Sequence, residues 1–423
     1  MNVLFYTLGC KVNQYETQAM REEFLRRGFT AEKDLQADII IINTCSVTAE
    51  SDRKARQLLN RVKRENPNAV TVLTGCMVQA FPESSKQLSA DIIIGNRDVS
   101  NVINAVQKYL PEHKKAFICD EHKKGDSYNT LPITRFDERT RAFMKIEDGC
   151  DRFCSYCIIP YARGRVRSRS LAEISAEAQT LSENGFREIV LVGINLSAYG
   201  KGENFDLCDA VDAVCKIDGI QRVRLGSLEP DHITDEMLAR FKAQEKFCPQ
   251  FHLSLQSGCD ETLKRMNRHY DTAFYYDLVC RIRNCFKNAA VTTDIMVGFA
   301  GETEEEFNES LAFVKKVGFA RSHVFAYSVR EGTAAAKFGN QLSAAEKSRR
   351  SRIMASAAAE SEKRHLESLV GATLPVLFEK HNEGYTPDYS RVLLKGSSAE
   401  EGEIKNILIT AAFDTHCEGA AAQ

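Results

Sequence analysis

Short runs of β-branched and aliphatic residues alternate along this chain with longer stretches whose apolar residues recur every three or four positions. The runs at 3–6, 39–42, 70–73 and 91–94 have the length and composition of strands. Helical spacing fills the gaps, most clearly at 16–27 and 51–65. Alternation of this kind predicts a doubly wound parallel sheet covered by helices, an N-terminal domain over residues 1–112. Each of the first three strands runs into a loop with a cysteine: Thr-Leu-Gly-Cys10, Asn-Thr-Cys45 and Thr-Gly-Cys76. Open parallel sheets bind ligands beyond the carboxyl ends of their strands, so these three thiols are placed to converge. The fourth strand ends in Gly95-Asn96-Arg97 and brings no cysteine.

Residues 113–135 are polar and lack periodicity, as expected of a linker. From 136 to 366 the alternation resumes, with candidate strands at 142–146, 188–192, 222–226, 251–255, 291–297 and 323–327. Two intervening helices open with a capping box, Ser170 to Glu173 and Thr303 to Glu306. Six such units predict a partial (β/α)6 TIM-like barrel, with its chemistry at the carboxyl ends of the strands. After an Ala/Glu/Arg-rich helix at 344–368, residues 367–423 change character. Strand-like runs at 373–378, 391–394 and 404–410, separated by turns, fit a small antiparallel β-barrel.

The chemistry is concentrated after the first barrel strand, where Cys150, Cys154 and Cys157 are spaced C-x3-C-x2-C. Soft thiolates hold iron–sulfur clusters. Three of them ligate three irons of a four-iron cube and leave the fourth open. A zinc knuckle wants a fourth ligand, which no nearby Cys or His supplies. The formal net charge of −2 excludes a polycation, so nucleic-acid binding would rest on local patches. The 14 cysteines occur without an apparent export signal, which favours metal or redox chemistry over disulfides and a cytoplasmic location. No apolar run is long enough for a membrane span. The histidines lack ligand-like pairing and are read as structural.

Together, Leu-Gly-Cys10-Lys-Val-Asn-Gln, Asn-Thr-Cys45-Ser-Val-Thr, Thr-Gly-Cys76 and Gly-Cys150-Asp-Arg-Phe-Cys154-Ser-Tyr-Cys157 resemble the radical S-adenosylmethionine (SAM) methylthiotransferase family over nearly the whole chain. The resemblance implies two 4Fe–4S clusters. One, on Cys150, Cys154 and Cys157, chelates SAM and cleaves it to a 5′-deoxyadenosyl radical. The other, on Cys10, Cys45 and Cys76, carries sulfur. It further implies a C-terminal RNA-binding barrel of the TRAM type, tRNA as partner, a reductant such as flavodoxin or ferredoxin, and a sulfur donor. One branch of the family methylthiolates isopentenyladenosine in tRNA, one an aspartate of a ribosomal protein, and one carbon 2 of threonylcarbamoyladenosine at position 37 of tRNA. The strand end Ser227-Leu228-Glu229-Pro230 and the opening Gly-Cys10-Lys11 are similar to the third. Ala300, Ala326 and Glu331 stand where the family usually has proline. A non-catalytic iron–sulfur protein is the reading from a different class; the open cluster coordination argues against it.

For SAM, the strand ends offer Gly193, Asn195, Gln256, Gly298 and Glu302: glycine lets backbone approach a ligand, and Asn and Gln hydrogen-bond to ribose and amino acid. The competing reading is ordinary turns. For RNA, Arg163, Arg165, Arg167 and Arg169 alternate and would share one face if extended. Arg53 and Arg56 lie with other cations on the helix after Cys45, where a solvated face is the plain alternative. Tyr385, Tyr389 and Arg391 are placed either to bind RNA or to pack.

Overall fold

The computed structural model describes residues 1–129, 131–137 and 140–422. Its N-terminal sheet has five parallel strands in chain order: β1 (Val3–Thr7), β2 (Ile39–Thr44), β3 (Val70–Gly75), β4 (Ile92–Ile94) and β5 (Ala116–Ile118). Four consecutive isoleucines open β2, because a central strand is buried on both faces. Ile39 and Ile41 pack under α1 (Lys11–Arg26) and the helix Asn101–Glu112, while Ile40 and Ile42 pack under α2 (Ala49–Glu65). Successive side chains of a strand point to opposite faces, so helices cover both sides. The fifth strand falls in the stretch read as linker. It is three residues long, at the edge, with Phe117 and Ile118 exposed, so no apolar pattern announces it. The rest of 113–135 is also less free than a linker. Tyr128 donates to the Lys145 carbonyl at 2.7 Å, and Ile133 is fully buried.

The six barrel strands are Arg141–Lys145, Glu188–Val192, Arg222–Leu225, Gln250–Leu253, Ala290–Val297 and Arg321–Ala326. All pairings between them are parallel, but the ladder breaks after the third. There the chain steps across at Gly226, and Ser227–Leu228 pairs with the fourth strand instead. Both anticipated capping boxes are formed, and Asp206 with Asp209 makes a third.

The helix Ala344–Ser368 leads into a closed barrel of Thr373–Lys380, Glu383–Tyr385, Arg391–Leu394, Ile404–Ala412 and Cys417–Ala421. Its pairings are antiparallel except that Arg391–Leu394 runs parallel to Cys417–Ala421. Two of these strands lie outside the expected runs: Glu383–Tyr385 stands where a turn is expected, and the last, Cys417-Glu-Gly-Ala-Ala, has no apolar alternation. It packs on Val376, Phe378 and Ile407. Among the described residues no helix is long and apolar enough to cross a membrane.

Arginines of the larger barrel seat this small one. Arg222 donates to the carbonyls of Tyr385 (2.9 Å) and Pro375 (2.6 Å), and Arg224 to that of Pro387 (2.8 Å). Arg141 donates to the Tyr389 hydroxyl at 2.9 Å and lies over the stacked rings of Tyr385 and Tyr389. Behind them sits Glu188, fully buried, at 2.8 Å from Arg224. Burial alone would raise its pKa, but Arg224 and Arg141 outweigh that and hold it below the usual carboxylate range. Replacing Arg222 with Ala removes both carbonyl contacts and should cost about 1–3 kcal/mol. Hydrogen exchange should then quicken in Thr373–Lys380 before the large barrel loosens; unchanged exchange there would refute the seating role.

Candidate active site

Tight turns bring the first three cysteines together. Gly9 has φ +112° and lies so close to the second loop that an added Cβ would stand 2.6 Å from Cys45 Cβ. Gly75, at φ +101°, would collide with the Thr44 carbonyl at 2.5 Å. Only glycine takes such a backbone and such an approach without strain. Asn13 ties the loops, donating to the carbonyls of Leu8 (3.0 Å) and Thr44 (2.8 Å). Cys10 caps α1 and is exposed; Cys45 and Cys76 are buried. Each thiol lies within electrostatic reach of the others. Burial pushes Cys76 up to about 12, against the partial relief of Arg163.

The second triad follows the first barrel strand. Gly149 (φ +93°) turns the chain against the Arg165 carbonyl, and the Cys150 N–H donates to the Gly164 carbonyl at 3.0 Å. Ser155 anchors the loop to the Arg265 and Met266 carbonyls. Arg268, itself paired with Glu229, donates to Cys154 Sγ at 3.2 Å. Burial pushes Cys150 up to about 12 and Cys157 higher still.

The arginine tract after this loop is not a row of phosphate contacts. Arg163 is fully buried and donates from Nε to Cys76 Sγ at 3.1 Å, and from its terminal nitrogens to Glu16 (2.9 Å) and Asn13 (3.0 Å). Arg167 faces Asp148 at 3.3 Å, and buried Arg169 faces Glu177 at 2.8 Å. Only Arg165 stays exposed, over the Phe153 ring. The alternation fails because the stretch is a short helix and turn with just Arg167–Ser168 extended. Lys145 completes the network at 2.7 Å from both Glu16 and Asp148. Burial would raise Glu16, yet Arg163 and Lys145 hold it below the usual range. Arg53 and Arg56 are exposed on α2, with Arg53 paired to Glu50. Tyr385 and Tyr389 stack against the arginines above, and Arg391 pairs with Glu383 at 2.9 Å.

Of the residues expected near SAM, Gln256 lies in a cleft of about 140 Å³ with Cys157, Tyr156, Val47 and Asp294. Its backbone is left-handed (φ +69°) and held to Asp294. Gly193 and Asn195 meet the buried acid Glu147. Asn195 N–H donates to it at 2.7 Å, and a Cβ on Gly193 would overlap it. Burial, with Asp148 adjacent, keeps Glu147 well above the usual carboxylate range. Glu147 Oε1 and Asn195 Oδ1 are buried without partners among the described residues. Glu302 and Gly298 are committed elsewhere: the Glu302 carboxylate takes the Gly298 N–H and the Arg350 guanidinium, each at 2.7 Å. Glu16, Glu147, Asp148 and Arg268 escaped the sequence reading. For Glu147 and Asp148, two acids directly before the cysteine loop were the available signal.

The 140 Å³ cleft shares Asp294 with a larger hollow of about 450 Å³, whose wall includes Cys10, Lys11, Gly193, Arg224 and Tyr389. The Cys45 loop is clamped onto the barrel at this junction by Arg330, which donates to Ser46 Oγ at 2.9 Å and pairs with Asp52. One cysteine of each triad, Cys10 and Cys157, thus lines one of two hollows that meet at Asp294. Among the described residues no three His, Cys, Asp or Glu side chains close tightly enough to hold a single metal ion. The thiols nonetheless suit cationic iron: burial keeps Cys76, Cys150 and Cys157 protonated on their own, and a bound metal deprotonates a coordinating thiol outright.

Residues 2–95 match a model described as uncharacterized protein family UPF0004, and residues 144–314 match the radical SAM superfamily. Over 99% of its length the chain is 36% identical to 95% of the threonylcarbamoyladenosine tRNA methylthiotransferase MtaB of Bacillus subtilis. The chain belongs to the radical SAM methylthiotransferase family. It is a transferase, and the family's cofactors are SAM and two 4Fe–4S clusters. It is also 34% identical to MtaB of Aquifex aeolicus, covering 97% of this chain and all of that one (100%). A tRNA-2-methylthio-N(6)-dimethylallyladenosine synthase of Clostridium botulinum is 38% identical over 79% of this chain and 76% of its own. Among solved structures, the radical SAM methyltransferase TsrM of Kitasatospora setae superposes with a TM-score of 0.56 at 12% identity, over 77% of this chain and 74% of that one. That likeness is one of fold.

Arg163→Met leaves Glu16 with Lys145 alone and removes the donor to Cys76. It should destabilise the protein by about 3–5 kcal/mol in urea unfolding, since breaking a buried ion pair strands its partner; a loss of about 1 kcal/mol or less, as for a surface pair, would refute the network's structural role. His122 provides a pH test. Burial, with Arg167 near, holds its imidazole down to about 4 from 6.5. The folded state therefore favours the neutral ring. That stabilisation is complete above about 6.5 and is lost as pH falls toward 4. His122→Gln should remove about 2–3 kcal/mol of acid sensitivity in that window, read as flatter melting temperatures between those pH values.

Proposed function

We propose that the protein transfers a methylthio group to carbon 2 of N6-threonylcarbamoyladenosine at position 37 of tRNA. The observation that carries this reading is that one cysteine of each triad, Cys10 and Cys157, lines one of two neighbouring hollows that have Asp294 as a common wall residue. Cys150, Cys154 and Cys157 would hold one cluster, and Cys10, Cys45 and Cys76 the other. With SAM bound beside the first, these groups supply the radical, electron and sulfur chemistry that an unactivated C–H bond requires. The chain's own residues do the rest. Arg268 and Arg163 each place a cationic N–H on one sulfur of a triad. Asn195 and Gln256 supply hydrogen-bonding groups for the cofactor, and Glu147 adds a carboxyl with one unused oxygen. Gly298 and Glu302 would support the loop rather than touch SAM. Arg330 keeps the Cys45 loop pressed on the barrel and so limits entry of water.

In this reading residues 1–112 bind the second cluster, 113–135 connect, 136–366 form the radical-generating barrel and 367–423 bind RNA, with exposed Arg56 offered to phosphates and exposed Arg53 and Arg165 able to reach them only by leaving Glu50 and Asp151. An outside reductant and a sulfur donor are required. The threonylcarbamoyl substrate is favoured by the full-length similarity to the two MtaB relatives. The Clostridium botulinum relative supports the dimethylallyladenosine alternative. Mass spectrometry of tRNA nucleosides from cells lacking the gene, and with it restored, tests the choice. Loss and recovery of 2-methylthio-threonylcarbamoyladenosine is expected. Loss of the isopentenyl derivative would overturn the branch, and no change in either would overturn the tRNA assignment.

A further inference from the structure

Lys11 stands out in the 450 Å³ hollow. It follows Cys10 directly and lies on the cavity wall. Among the described residues its ammonium makes no hydrogen bond or ion pair; it hovers 5.8 Å from the Phe143 ring. Its neighbours do not want for partners. Arg224, on the same wall, is spent on Glu188 and the Pro387 carbonyl. Asp294, the acid of that wall, faces His252 Nε2 at 3.3 Å. Behind the wall one buried carboxylate, Glu188, serves Arg141, Arg222 and Arg224, with Glu379 alone added for Arg141 among the described residues. Lys11 lies within electrostatic reach of Arg141 and Arg224, and of Glu188 and Asp294 in the opposite sense, but is in contact with none of them. Among the described residues this end of the cavity therefore holds one ammonium with no hydrogen-bonded or ion-paired acid, while the acids near it are already paired. A hydrocarbon group placed there would dehydrate the ammonium and give nothing back. A carboxylate would gain a charge-assisted hydrogen bond.

We propose that Lys11 recognises the carboxylate of the N6 substituent and so selects threonylcarbamoyladenosine over an adenosine with an apolar substituent. This rests on the function proposed above. Threonylcarbamoyl carries such a carboxylate; isopentenyl does not. Discrimination then arises from both sides, since the correct group pairs with the ammonium and the wrong one strands it. SAM also carries a carboxylate, so the test must separate the two sources.

The test uses the holoenzyme with both clusters reconstituted, as wild type, Lys11→Met and Lys11→Arg. Iron content confirms that each variant is loaded. Binding is titrated with anticodon stem-loop RNAs bearing threonylcarbamoyladenosine, the same base with its carboxylate converted to the amide, or isopentenyladenosine. SAM affinity is titrated separately. Lys11→Met should weaken binding of the carboxylate RNA about 10- to 100-fold, the range of one hydrogen bond to a charged group. It should leave the amide RNA and SAM as in wild type, and Lys11→Arg should restore part of the loss. Equal binding of the carboxylate RNA by wild type and Lys11→Met would overturn the proposal. A loss of SAM affinity with RNA discrimination intact would overturn it too, assigning Lys11 to the cofactor. Both outcomes leave the proposed function standing if wild type still methylthiolates the threonylcarbamoyl RNA. If wild type modifies only the isopentenyl RNA, the proposed function itself has failed and the proposal falls with it.

Discussion

The guanidinium of Arg163 is fully buried between the N-terminal sheet and the barrel, and the arrangement of the first triad depends on it. Its carboxylate partner Glu16 comes from α1, its sulfur partner Cys76 from the loop after β3, and the arginine itself from the turn after the second triad. A charge withdrawn from water must be met by partners on every side, so these elements cannot shift independently. Lys145 and Asp148 extend the network into the first barrel strand and its exit. The interaction that joins the two halves of the molecule is thus the one that places a positive charge on a cysteine sulfur.

The same economy recurs at the other end of the barrel. Glu188 gathers Arg141, Arg222 and Arg224, and these in turn hold the C-terminal barrel through its carbonyls and stacked tyrosines. Tyr389 pays a conformational cost, with φ +71°, and reaches the cavity wall as a result. The small barrel therefore contributes to the hollow beside Cys10 as well as ending the chain. Positive charge is concentrated around the cavity although the chain as a whole is close to neutral.

Strand–helix alternation is a local property, and it placed the six barrel strands and the first four strands of the N-terminal sheet within a residue or two at most of their ends. Where the local pattern is weak the reading failed. β5 and the strand Cys417–Ala421 are short or poor in apolar residues, and each exists because a neighbouring edge was available to pair with. Helix α1 begins at Lys11 rather than 16, because its first turn is fixed by the Cys10 loop and not by an apolar stripe.

The grouping of the cysteines was legible because short spacing and strand-end position are written in the chain itself. The arginines were not. Arg163, Arg165, Arg167 and Arg169 look alike in sequence, yet one touches a sulfur, two pair with buried acids and one is exposed beside Asp151. Glu302 was placed correctly at a strand end but turned toward Arg350, a partner 48 residues away. The sequence by itself determined the fold class, the two cysteine triads and the faces that would carry them, since periodicity and spacing act over a few residues. Only the tertiary structure decided which charges are spent on each other and which, like that of Lys11, remain for a ligand, because the partner of a buried charge comes from a distant part of the chain.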